Sequence, residues 1–156
     1  MLRIESFRPA MAPALTEVYG EAVSGIGPRD YSPEQVAAWA CLAPTAERFA
    51  ALYGDGRFTA VAVEGAGHVL GFTDMEDDGH IGFLYCRPEV AGTGVAARLF
   101  EAVEAEARAR GLSRLYSEAS EAACRFFLRR GFRVLRRRDL EISGTPIHNF
   151  AVEKTV

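Results

Sequence analysis

The residues whose spacing alone could do chemistry lie near the middle of the chain, in the run RPEVAGTGVA at positions 87–96. Gly92 and Gly94 flank Thr93 there, between an apolar stretch and a segment of helical period. A helix start leaves backbone N–H groups unpaired and carries a partial positive charge, so glycines at that point let an anion approach the main chain closely. A phosphate fits such a run; the plainer alternative is a tight turn that only needs the freedom of glycine. A Walker-type loop would require Lys and then Ser or Thr after its last glycine, whereas Val95 and Ala96 follow Gly94. The dinucleotide fingerprint fails too. Ala97 stands at its third position, but the preceding strands are joined by hairpin turns and no βαβ unit surrounds the run.

Other constellations carry less. The stretch DMEDDGHIGFLY sets Asp74, Glu76, Asp78 and Gly79 at the first, third, fifth and sixth positions of a calcium loop, yet Tyr85 occupies the twelfth, where a bidentate Glu belongs. A solvated turn, or a lip that attracts a cationic amine, suits it better. Cys41, Cys86 and Cys124 are odd in number, widely spaced and set in apolar surroundings, the pattern of reduced core thiols. No CxxC, HExxH or GxSxG occurs, and no metal is expected. Six arginines fall between 129 and 138, of which Arg136, Arg137 and Arg138 read as a polar strand edge that discourages pairing with other chains. The patch lacks interleaved aromatics and the net charge is −3, so nucleic acid is not an expected partner.

The elements that must hold these residues follow from hydrophobic period. LRIESF reads as a strand and APALTEVYGEAV as a helix; SPEQVAAWA opens a second helix with Ser32 as N-cap and proline at the first turn, and TAERFAALYG is a third that stops at Gly54. RFTAVAVEG, HVLGFTDM and HIGFLYC, the last spanning 80–86, form three strands joined by short turns. From Gly94 to Gly111 the period is helical, with Glu104–Arg108 and Glu106–Arg110 as i,i+4 pairs. LSRLYSEA (112–119) is a strand, Ser120 to Gly131 a helix, and RRRDLEI, SGTP and IHNFAVEK a closing hairpin. The order is β-α-α-α-β-β-β-α-β-α-β-β. With 156 residues, 49% of them apolar and 25% charged, the expectation is one globular domain over 1–156. No run approaches ~20 apolar residues and the start lacks a charged-then-apolar leader, which suits a cytoplasmic protein with no membrane partner.

With the elements in place, LYCRPEVAGTGVAARLFEAVEAEARARG resembles the central motif of the GNAT acyltransferase superfamily: an apolar strand, x-Pro, then Gln/Arg-x-x-Gly-x-Gly/Ala opening a helix. SEASEAACRFFLRRGF resembles the family's later strand-helix segment, and DYSPEQVAAWA looks like a subgroup of bacterial members. The resemblance covers nearly the whole chain. It implies an α/β (α+β) fold with a mixed, mostly antiparallel sheet of about seven strands flanked by helices, in which the fourth and fifth strands, 80–86 and 112–119, splay apart.

It also implies an acetyl-CoA co-substrate. Amides of Ala91, Gly92, Thr93, Gly94, Val95 and Ala96 would hold the pyrophosphate, and the backbone at Leu84, Tyr85 and Cys86 would pair with the pantetheine arm as an added strand does. Arg129 and Arg130 would reach the 3′-phosphate, Ser120 stands where an Asn contacts pantetheine, and Phe127 would pack against the cofactor. Departures from the family pattern concern the proton donors and acceptors. Phe127 replaces the usual acid Tyr, Gly82 stands where a carboxylate is common, and Ala91 replaces Gln/Arg. His80 is then the candidate base, its ordinary pKa of about 6.5 suiting proton removal near neutrality, and Tyr85 or Tyr116 the replacement acid. The implied activity is acyl transfer, acetyl in the first place, from CoA to a small-molecule or peptide amine, by direct attack in a ternary complex. A non-catalytic CoA-binding sensor or interaction module is the alternative, and a homodimer is left open. The segments that choose the acceptor are about 24–45, 74–80 and 142–149.

Overall fold

The computed structural model describes residues 1–156. Twelve principal elements follow the expected order: β1 (Leu2–Glu5), α1 (Ala12–Ile26), α2 (Pro33–Ala40), α3 (Ala46–Leu52), β2 (Phe58–Glu64), β3 (His68–Met75), β4 (Leu84–Cys86), α4 (Val95–Ala109), β5 (Arg114–Ala119), α5 (Glu121–Arg129), β6 (Arg133–Ile142) and β7 (Thr145–Thr155). This is a mixed α+β fold. The strands form an antiparallel sheet ordered β1-β2-β3-β4 and a second, also antiparallel, ordered β5-β7-β6. No helix is long and apolar enough to cross a membrane.

Strand alternation distributes the core to both faces of the first sheet. Val61, Val63, Val69 and Phe72 pack with Leu15 and Val18 of α1 and Phe49 of α3, while Ala60, Ala62 and Leu70 pack with Val95 and Leu99 of α4. A third cluster, Phe100, Val103, Leu115, Phe127, Phe132 and Val152, joins α4 and α5 to the second sheet. Local signals do their part. Ser32 accepts the Gln35 N–H while the Gln35 side chain accepts the Ser32 N–H, a full capping box. Cys124 is buried and Cys86 half-buried, but Cys41 is exposed just past the end of α2, so the expectation of three core thiols is corrected there.

The two sheets meet along a very short seam. Tyr116 donates its N–H to the Gly79 carbonyl at 3.1 Å, Ile81 donates to the Tyr116 carbonyl at 2.9 Å, and His80 and Tyr116 form one parallel bridge. Beyond it the expected strand at 80–86 is interrupted. Gly82 and Phe83 donate their N–H groups at 2.7 and 3.2 Å to the buried Asp74 carboxylate of β3, and the Ser117 hydroxyl donates to the Ile81 carbonyl at 2.7 Å. Side chains have taken the groups the next rungs would use, so only Leu84–Cys86 remains strand, and β4 and β5 diverge.

Candidate functional site

The divergence opens a cleft of about 410 Å³ between β4, the turn before α4, α5, and the region from the end of α1 to α2. In the β3–β4 ladder the bonded positions are Asp74 N–H to Phe83 carbonyl (3.4 Å), the Phe72–Tyr85 pair, and Arg87 N–H to Leu70 carbonyl (2.9 Å). Bonded and unbonded pairs alternate in an antiparallel ladder, so the main-chain groups of Leu84 and Cys86 face the gap. Those of Tyr85 face β3, which corrects the expectation that all three residues offer backbone to a ligand.

The glycine run leads from a short 3-10 turn, Pro88–Val90, into α4. Ala91 N–H donates to Pro88 and Thr93 N–H to Val90, each at 3.1 Å, and the Thr93 hydroxyl also bonds the Val90 carbonyl at 2.6 Å. Thr93 therefore shapes the turn, and Ala91 spends its donor doing so. The N–H groups of Gly92, Gly94, Val95, Ala96 and Ala97 make no internal hydrogen bond, the first helical bond being Arg98 N–H to Gly94 carbonyl at 3.0 Å. Gly92 and Gly94 have φ of +77° and +93°, and a Cβ on either would meet nothing within 4 Å, so their open side is free space. Val95 points into the core. Arg87 fixes the start of the turn. Its buried guanidinium donates to the Val69 carbonyl at 2.6 Å and to Glu17 and Glu21 of α1.

On the opposite wall α5 contributes Ser120, Phe126, Arg129 and Arg130. Ser120 Oγ accepts the Ala123 N–H at 3.3 Å as N-cap while lining the cleft. Arg130 lies over the Phe126 ring at 4.5 Å, and neither Arg129 nor Arg130 is paired with a carboxylate. Phe127 belongs to the core at 1% exposure and Phe126 lines the cleft, a correction with a simple cause. Cys124 and Phe127, three residues apart, share the buried face, so the neighbouring Phe126 must turn outward.

The three candidates for proton transfer separate. His80 lies at the seam, outside the cleft, with Nδ1 2.9 Å from Glu76 and Nε2 2.7 Å from Glu118. The Glu118 hydrogen bond, and behind it that of Glu76, overcome desolvation and push the imidazole up to about 9, so it is cationic at neutral pH and holds no lone pair for a base; that expectation is corrected. Tyr116 is also away from the cleft. Its hydroxyl donates to Asp78, which pushes the phenol up to about 12, and Arg114 stacks on its ring at 4.2 Å, correcting its expected part as an acid. Tyr85 does line the cleft, its phenol raised well above the usual range by burial and by Tyr19 beside it at 4.6 Å between centroids.

Several cleft residues lay unassigned in the sequence. Asp30, Tyr31 and Trp39, all within DYSPEQVAAWA, line the wall opposite α4. The Tyr31 hydroxyl donates to the His148 carbonyl at 2.9 Å and accepts the Glu121 N–H at 3.1 Å, tying the loop before α2 to β7 and α5. Asp74 is fully buried; desolvation raises its pKa against the pull of the N–H donors and of Arg57, 3.5 Å away. The Tyr53 hydroxyl beside it is buried without a hydrogen bond, its pKa driven upward by burial and by Asp74.

Comparison with known proteins sets this geometry in context. Residues 28–154 match the family profile described as acetyltransferase (GNAT) domain. A GCN5-related N-acetyltransferase from Rhodopseudomonas palustris, also titled aminotransferase class-II, is 30% identical, with TM-score 0.89 over 99% of this chain and 95% of that one. The PaiA N-acetyltransferase of Thermoplasma acidophilum, solved with coenzyme A, superposes with TM-score 0.80 at 17% identity, over 100% and 99% of the two chains. YncA of Salmonella typhimurium, solved with acetyl-CoA, gives TM-score 0.76 at 19% identity, over 99% and 94%. No curated protein matches the chain in sequence.

Proposed function

Because the chain belongs to the GNAT acetyltransferase family, we propose that it transfers an acetyl group from acetyl-CoA to a primary amine by direct attack in a ternary complex. One observation carries this reading: five N–H groups, at Gly92 and from Gly94 to Ala97, are unpaired at the mouth of α4, and four of these residues, all but Val95, line the cleft that the outward-facing backbone of β4 also borders. Such a row of donors at a helix start suits a pyrophosphate. Leu84 and Cys86 then pair with the pantetheine amides, Ser120 supports the arm, and unpaired Arg129 and Arg130 take the 3′-phosphate.

The nitrogen lone pair adds to the thioester carbon, an outward N–H of β4 receives the charge on oxygen, and the C–S bond breaks. Tyr85, the tyrosine on β4 that lines the cleft, is the proposed proton donor to the departing thiolate. The amine loses its proton to water, since the one carboxylate lining the cleft, Asp30, is held by Arg125 at 2.8 and 3.0 Å. That same shortage of free bases favours the second reading, a CoA-binding module without turnover. Thermal unfolding and thiol release separate the two. CoA at 100 times its Kd should add about 2.7 kcal/mol of stability under either reading, and thiol release with an amine present occurs only under the first. Tyr85→Phe should lower kcat about tenfold or more while leaving CoA stabilisation in place. No stabilisation by CoA removes both readings.

A further inference from the structure

We propose that the acceptor is an arylalkylamine, a primary amine on a short alkyl arm of an aromatic ring with no carboxylate beside the nitrogen. The inference rests on the acetyltransferase reading and adds the chemistry of the acceptor wall.

Tyr85, Trp39 and Tyr31 line the cleft, and Tyr19 and His148 back them in one chain of rings. Tyr19 lies 4.6 Å from Tyr85, Tyr85 6.4 Å from Trp39, Trp39 5.6 Å from Tyr31, and Tyr31 5.2 Å from His148. Rings at such spacings favour a further ring set edge-on or offset against them, and their faces attract an ammonium before it loses its proton. Charge on this wall is already spent. Asp30 is clasped through both oxygens by Arg125, and the Arg87 guanidinium is committed to Val69, Glu17 and Glu21. Of the arginines that line the cleft, the two free ones, Arg129 and Arg130, sit at the far end of α5, whereas Tyr31 meets its first residue, Glu121; the helix rise separates the two ends by roughly 13 Å. A free amino acid would therefore bury its carboxylate with no partner, and a polyamine would find no free carboxylate for its second ammonium. An arylalkylamine carries neither liability and covers the rings. The step balances without another reactant: the N–C bond forms, the C–S bond breaks, one amine proton is lost to water, and the thiolate gains one to leave as CoA thiol.

The test compares kcat/KM with acetyl-CoA for 2-phenylethylamine, phenylalanine, propylamine and spermidine. It also follows the emission of Trp39, the single tryptophan in the chain, during titration with 2-phenylethylamine. We expect 2-phenylethylamine to exceed phenylalanine by about 100-fold and propylamine by about tenfold, with saturable quenching of Trp39. Trp39→Phe should keep most of the preference over propylamine and Trp39→Ala should abolish it, a ratio that loss of folded protein alone would leave fixed. Phenylalanine or spermidine within tenfold of 2-phenylethylamine, or emission unmoved by the amine, overturns the proposal. Should CoA fail to stabilise the protein, the enzymatic reading falls and the acceptor assignment with it, and the Trp39 titration then shows separately whether the ring wall binds the amine.

Discussion

Two glycine-bearing turns flank β4, and they treat their backbone donors in opposite ways. In the turn before it, Gly82 and Phe83 give their N–H groups to Asp74, His80 gives its own to Asp78 at 3.1 Å, and Gly79 is pressed against β5, where a Cβ would stand 2.1 Å from the Arg114 carbonyl oxygen. In the turn after it, Gly92 and Gly94 face open space and the donors from Gly94 to Ala97 bond nothing. Both turns need positive φ, +95° at Gly79 and +93° at Gly94. Glycine content therefore does not distinguish a joint from a binding loop; the fate of the N–H groups does.

Gly79→Ala tests that contrast most severely. Strain and overlap with backbone should together cost roughly 3 kcal/mol or more, lowering the melting temperature by about 10 °C. Asp74→Ala comes next, at about 2–4 kcal/mol by urea unfolding, because two buried N–H groups lose their acceptor. Asp74→Asn should recover much of this, since it keeps an acceptor oxygen and removes a buried charge. Gly94→Ala should cost only ~1–2 kcal/mol, with room for the methyl but not for the φ, while weakening CoA binding at least about tenfold by calorimetry. If Gly94→Ala proved as disruptive as Gly79→Ala and left CoA affinity intact, the distinction between the turns would break. The smallest effect is the His80 titration. Its pKa is raised in the folded state from an ordinary 6.5 to about 9, so its stabilisation is full below pH 6.5 and is lost as pH rises through about 9. With solvent screening we expect a loss of about 1 kcal/mol between those pH values, flattened in His80→Gln.

The turn after β4 was readable because its information is local: two glycines, a change of period and a missing lysine all fall within ten residues. The splay was expected, but its cause was not legible. Asp74 looks like one more member of an acidic run until the fold brings Gly82, Phe83 and Arg57 around its carboxylate. His80 reads as a titratable base near neutrality because Glu118 is 38 positions away along the chain. The Phe126–Phe127 pair failed for a different reason. Adjacent helical residues cannot share a face, and rotation of α5 onto Phe100 and Phe132 decides which ring is buried.

The Ser117 hydroxyl acts as the end-stop of a zipper. By bonding the Ile81 carbonyl it halts the teeth between the sheets, and every further tooth would shorten the fork by about 3.3 Å, the rise of one strand residue. With the Asp74 carboxylate, that buried oxygen fixes where the fork between the two sheets begins.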